Sequence, residues 1–298
     1  MNPVTPAVLS PWPRLVAWGA VLVSTVGDIC WRQPGLPAPF WLTATESLLI
    51  LVAAFAAIWI PSWRRLARFL FAIALLNLAW DYIAPSLAEL RFVRAVTDHV
   101  SWGERLLLLR LFTLSGVVLV SLTLIGSGLT RRDLFLGIGN PAAPAHPIRF
   151  LGLRKPVPWT WLGPAFIVIF AVFLAPYLYL TVDPNFRLSD RIVRIFPWSF
   201  AVAVLNAASE EFQFRCVLLA HLRGIFRPAE AVLLTSVFFG IGHYYGQPSG
   251  PLGVLMAGFA GWIWARSMID TGGGLWAFLI HMVQDVVILS FLAVGAGM

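Results

Sequence analysis

Apolar residues run along this chain in long blocks separated by short polar stretches. A membrane-spanning helix needs about 20 apolar residues. Blocks of that kind cover residues 15–31, 40–60, 66–88, 106–126, 159–180, 197–222, 229–246, 253–268 and 275–296. The pattern predicts nine spanning helices, or eight, since the first, seventh and eighth blocks are short. The longest connection, residues 129–158, carries NPAAPAHP at its centre. Its prolines and small residues predict a loop and not a globular domain. The expected organisation is therefore an N-terminal membrane segment of residues 1–128 with no assigned role, a linker loop over 129–158, and a C-terminal membrane unit over 159–298. No repeat of fixed period interrupts this reading.

Composition agrees with the pattern. Of 298 residues, 59% are hydrophobic and only 12% are charged, against about 25% charged in a soluble domain. Mean hydropathy is +0.82. The expected fold is an all-α polytopic transmembrane bundle of about 8–9 helices. The formal net charge is +7, and Lys155 is the single lysine among 21 basic residues. Placing the N-terminus in the cytoplasm puts twelve basic residues on that side, from Arg14 to Arg266, and seven on the other. The positive-inside bias then predicts a cytoplasmic N-terminus in the cell membrane, a cytoplasmic linker loop and an external C-terminus. No nucleic-acid motif is present, so membrane lipids and not nucleic acids are the expected partners. Cys30 and Cys216 lie too far apart in sequence to suggest a disulfide framework. Arg14 precedes the first apolar block without a convincing small-residue cleavage site, which favours a retained helix over a cleaved signal peptide.

Ionised side chains at membrane depth are costly and mark functional candidates. In the N-terminal segment Asp28, Glu46, Asn77, Asp81 and Arg110 are isolated, and their spacing matches no known site. Some are expected to pair with one another. The C-terminal unit is more informative. Residues 206–215 read NAASEEFQFR. On an α-helix Glu211 and Arg215 are four apart with the acid first, the favourable order for a structural pair. Glu210 is turned by about 100° from Glu211 and shares its face with Asn206 and Phe214. It is the carboxylate left over for a cavity, and apolar surroundings make a carboxylate a better base. In FFGIGH, His243 follows Phe239 by four, and Gly240 and Gly242 would admit a neighbouring helix closely. In HMVQD, His281 and Asp285 are four apart. Counted from the expected cytoplasmic ends, Glu210, His243 and His281 lie roughly 18, 21 and 15 Å deep, near the middle of a roughly 30 Å core. A lone intramembrane histidine is more often a hydrogen-bonding bundle residue; three polar groups at one depth favour function. Tyr244 and Tyr245 are expected to anchor the membrane interface. TGGGLW predicts a flexible loop before the last helix, and without a GKS or GKT ending it is no phosphate cradle.

In order, Glu210-Glu211-x-x-x-Arg215, Phe239-x-x-x-His243 and His281-x-x-x-Asp285 resemble the motif set of the CPBP (Abi) intramembrane proteases, relatives of the type II CAAX prenyl protease. The resemblance covers roughly residue 159 to the C-terminus. It implies an intramembrane endopeptidase in which Glu210 and His243 activate water, while His281 and Asp285 stabilise the oxyanion. Asn206, Glu211, Arg215 and Phe239 would support them. Attack by water needs a base, and the tetrahedral intermediate needs donors. The family has Asn or Asp at the last position. An ionised Asp285 would repel an oxyanion, so it must carry a proton or orient a histidine. Glu210, His243 and His281 could form a His2Glu zinc shell; without an HExxH helix, a metal-free, glutamate-dependent mechanism is favoured. The implied substrate is a membrane-associated or lipidated peptide, with prenylated C-a-a-X ends as the family's named activity. The alternatives are a non-catalytic scaffold or immunity protein on the same fold, and a proton-coupled transporter. Intramembrane Glu and His also build proton relays, but no inverted repeat is evident.

Overall fold

A computed structural model describes residues 11–33, 35–182 and 192–295. Arg187 and Arg191 of the charge count, and residue 296 of the last apolar block, lie outside the described residues. In chain order the helices are α1 (Pro11–Val23), α2 (Val26–Arg32), α3 (Phe40–Ile58), α4 (Arg64–Leu78), α5 (Ala84–Ala88), α6 (Arg91–Thr97), α7 (Trp102–Phe112), α8 (Leu114–Leu122), α9 (Trp159–Val182), α10 (Ile192–Glu211), α11 (Leu218–Leu222), α12 (Pro228–Gly242), α13 (Gly250–Thr271) and α14 (Leu275–Gly295). A 3-10 turn, Pro61–Trp63, leads into α4. Winding changes to π over Ala79–Ile83 and again over Phe212–Val217, which joins α10 to α11. Among the described residues the only sheet is an antiparallel pair, β1 (Pro144–Ala145) with β2 (Val157–Pro158).

The fold is all-α and polytopic, as the apolar blocks predict. Seven helical runs among the described residues are long and apolar enough to cross a membrane: Pro11–Arg32, Phe40–Ile58, Pro61–Ala88, Trp102–Leu122, Trp159–Thr181, Gly250–Thr271 and Leu275–Gly295. Pro228–Gly242 is apolar but shorter. Residues 192–222 wind continuously and carry Glu210, Glu211 and Arg215 inside. These two stand where the sixth and seventh apolar blocks lie. The chain is an integral membrane protein.

The chain forms two compact units. The first gathers Met1–Ala84, Ser115–Leu134 and Gln213–Ala265. Here α1, α3 and α11 pack on α4, and α12 packs on α1 and α11. Leu66, Phe69, Leu70 and Ile73 recur at helical spacing, so one face of α4 is apolar and wholly buried. Gly240 brings α12 against α13: a Cβ there would lie 2.7 Å from the Val254 carbonyl oxygen and 3.0 Å from Gly258 Cα. The close approach expected at Gly240 is present. At Gly242 nothing lies within 4 Å of such an atom, so that glycine is not required by packing. The isolated polar residues of the N-terminal segment are partly paired. Arg32 Nε donates to Asp28 Oδ1 at 2.9 Å. Asn77 donates to Asp81 Oδ2 at 2.6 Å and to the Ser24 carbonyl at 2.9 Å, and accepts from Ser47. Glu46 is buried against Gly27.

The second unit gathers Pro85–Leu114, Phe135–Phe212 and Arg266–Met298. In it α10 packs on α7 and α14, and α14 packs on α9. Val202, Ala203 and Leu289 form a core with Leu106, Leu107, Met282 and Val286. Residues one and two turns beyond Ala203 on α10 are Ala207 and Glu211, so this apolar seam leads directly to the glutamates. The expected linker loop is tied down. Asn140 N donates to the Thr271 carbonyl at 2.8 Å, Gly274 N to the Gly137 carbonyl at 2.9 Å, and Trp276 Nε1 to the Pro141 carbonyl at 3.0 Å. Asp270 accepts from Trp159 Nε1 at 3.2 Å and Arg266 Nε at 3.1 Å, and meets His146 Nδ1 at 2.6 Å. The TGGG stretch, expected to be flexible, is thus held by backbone hydrogen bonds to the loop before α9.

Candidate active site

In the second unit, Glu210 and Glu211 close α10 where the winding changes to π. A π turn holds more residues than an α turn. Arg215 lies within that π segment, four residues after Glu211. Glu210 and Glu211 are 4% and 3% exposed, and His281 on α14 is 3% exposed. Glu211 Oε1 is 2.8 Å from His281 Nδ1. A carboxylate oxygen accepts, so Nδ1 carries the hydrogen. The opposite nitrogen, Nε2, faces Glu210 Oε2 at 3.7 Å and Asp285 Oδ2 at 3.5 Å. A bare lone pair against two carboxylates would be repulsive, so this side of the ring shares at least one proton with its neighbours. Asn206 Nδ2 fixes Asp285 by donating to Oδ2 at 2.9 Å. Arg110 on α7, unplaced by the sequence, is within electrostatic reach of Asp285.

Two acceptors in this cluster are unsatisfied. Glu210 Oε2 and Asn206 Oδ1 are buried without a hydrogen-bond partner among the described residues. An unmade buried hydrogen bond costs about 1–3 kcal/mol. Asn206 and Glu210 are one turn apart on the same face of α10. A group bearing donors, such as water, is what this face lacks.

In the first unit, Arg215 is fully buried, its guanidinium 3.7 Å from the Phe239 ring centre and 4.8 Å from that of Trp264. Desolvated cation–π contacts of this kind are worth about 2 kcal/mol or more. Helix α12 ends at Gly242, and His243 is its C-cap. His243 Nδ1 donates to the Phe239 carbonyl at 2.8 Å, and the two rings are 4.1 Å apart. In the neutral ring this puts the lone pair on Nε2. Phe239 therefore touches both Arg215 and His243. The two tyrosines expected as interfacial anchors have specific partners in α2 and just after it. Tyr244 Oη accepts from Gln33 Nε2 at 2.7 Å, Tyr245 Oη donates to the Ile29 carbonyl at 3.0 Å, and Arg32 lies 5.3 Å from the Tyr245 ring centre. Trp264 and Gln33 were not foreseen. No periodicity links residues 211 positions apart, and Trp264 belongs to no motif.

The structure thus brings Asn206, Glu210, Glu211, His281 and Asp285 together in one unit, and Arg215, Phe239 and His243 together in the other. Among the described residues no group of three or more His, Cys, Asp or Glu is arranged to hold a metal ion.

Residues 192–287 match the family model of type II CAAX prenyl endopeptidase Rce1-like proteins. The likeness covers that segment and not the rest of the chain. The Rce1-like segment runs from α10 into α14 and contains every candidate residue from Asn206 to Asp285. The family is one of proteases, and a buried carboxylate–imidazole cluster is equipment that peptide hydrolysis uses. Arg110 and the α2 residues that hold Tyr244 and Tyr245 lie outside it. No curated protein and no solved structure matches the chain.

Proposed function

We propose that the chain is an intramembrane endopeptidase acting on a membrane-associated, lipid-bearing peptide, with a prenylated C-a-a-X end as the substrate class named by its family. The supporting observation is Glu210: a buried carboxylate whose Oε2 has no hydrogen-bond donor among the described residues and faces His281 at 3.7 Å. Glu210 takes a proton from water as the water oxygen bonds to the scissile carbonyl carbon. The carbonyl electron pair moves to oxygen, where the protonated side of His281 stabilises it. When the C–N bond breaks, the proton held by Glu210 passes to the leaving amine. Glu211 and Asn206 hold His281 and Asp285 in place. His243 is assigned to water activation by its motif position. The charge count supports a cytoplasmic N-terminus in the cell membrane.

The test is cleavage of a lipidated peptide library by the purified chain and by Glu210→Gln, with and without chelator. Loss of a general base is expected to lower the rate by about 10²- to 10⁴-fold. Equal cleavage by both proteins would remove Glu210 from its role. Activity lost to chelator and restored by zinc would overturn the metal-free mechanism.

A further inference from the structure

A second site lies in the first unit, at the start of α4. A cavity of about 620 Å³ is lined there by Arg64, Arg65, Arg68, Phe71, Leu75 and Leu122, among others. Arg64, Arg68, Phe71 and Leu75 fall at helical spacing on one face of α4. That stripe is cationic for one turn and apolar for the next two. It runs roughly 16 Å along the helix from Arg64 to Leu75. The facing wall is apolar: Leu122 is 52% exposed and Ile125 is 74% exposed.

The charges at this place are not balanced by the protein. Among the described residues no carboxylate lies within ion-pair distance of Arg64, Arg65 or Arg68. Arg64 and Arg65 sit in the first turn of α4, where the helix dipole disfavours cations. Arg65 Nη1 donates to the Arg223 carbonyl at 3.4 Å and Arg68 Nη2 to the Gly126 carbonyl at 2.7 Å. A guanidinium has five N–H donors, so most remain for a ligand. Positive-inside bias explains arginines at a membrane boundary. It does not explain three of them lining the mouth of a cavity with an apolar wall.

We propose that this cavity binds an anionic phospholipid, its phosphate among Arg64, Arg65 and Arg68 and its acyl chain along Phe71, Leu75 and Leu122. Basic pockets between membrane helices hold acidic head groups in this way. The apolar stripe below the charges selects a lipid over a free phosphate.

The test uses the full chain, delipidated in neutral detergent, and reads its thermal midpoint with phosphatidylglycerol, with phosphatidylcholine of the same acyl chains, or with inorganic phosphate. Phosphatidylglycerol is expected to raise the midpoint by on the order of 5 °C at saturation, and the other two to leave it unchanged. The shift should vanish in Arg64→Gln/Arg68→Gln. It should also vanish in Leu122→Trp, which keeps the charges and fills the cavity. An equal response to phosphatidylcholine overturns the proposal, as does an intact shift in both variants, which would place the lipid elsewhere. A phosphate response equal to that of phosphatidylglycerol overturns the lipid assignment. If the double variant does not fold, Leu122→Trp and the lipid comparison on the unaltered chain still decide.

Discussion

The hydrogen bond from His281 to Glu211 gives each glutamate of the doublet its own contact on one imidazole. Glu211 meets Nδ1, and Glu210 faces Nε2. Glu211 therefore sets which nitrogen carries the proton, a positioning role that charge and geometry share. Glu211→Gln keeps the size of the side chain but loses the charge, and its amide can turn to donate to the ring and reverse the tautomer. Misalignment of this kind costs about 100-fold in rate. The expected result is a fall in kcat with KM little changed and an altered pH profile; an unaltered kcat would falsify the positioning role. Gly261 offers a second test at a single atom. A Cβ there would lie 2.5 Å from Arg215 Nη2 and 3.3 Å from the Phe239 ring. Alanine gains about 1 kcal/mol of helix propensity over glycine, but overpacking costs about 1–3 kcal/mol. Overpacking should win because Arg215 is fully buried between two rings. Gly261→Ala is expected to lower the thermal midpoint by a few degrees, and a raised midpoint would show that Arg215 can move aside.

Helices α3, α9, α13 and α14 follow their apolar blocks closely because a long apolar run has few other ways to satisfy its backbone in a membrane. The order and identity of the motif residues were legible too, since helical spacing is a local property. What was not legible is non-local or depends on winding. The π segment at Phe212–Val217 follows Glu211 without any residue that announces it. The block over residues 229–246 stops being helix at Gly242, so His243 is a cap and not an interior position. The link from α2 to the tyrosines after His243 joins two segments that no pattern connects. It also ties the turn that carries His243 to the N-terminal helices. Gln33→Ala with Tyr244→Phe removes one hydrogen bond, worth about 1 kcal/mol, and so should leave the fold intact. Faster amide exchange over residues 243–249 and slower peptide cleavage are expected. Unchanged exchange in that turn would mean that α2 does not restrain it.

At the scale of the whole chain, the Rce1-like match covers residues 192–287, and the helices before it carry much of the basic charge. Nine crossings from a cytoplasmic N-terminus, the arrangement proposed from the apolar blocks and the charge count, would put the C-terminus outside. A reporter that is active only outside the cell membrane should work when fused after residue 298 and fail when fused before residue 1. The opposite pattern would reverse the assigned orientation. The connection between the two halves of the sequence has another consequence. Its prolines and alanines give it the look of spare chain, suited to a tag, a nick or a junction between separately expressed pieces. Yet Asp270 gathers His146, Trp159 and Arg266, and the backbone of residues 137–140 is bonded to that of residues 271–274. A two-piece version of this protein would have to keep residues 135–158 with the C-terminal piece, because that stretch is part of the footing on which the last helix stands.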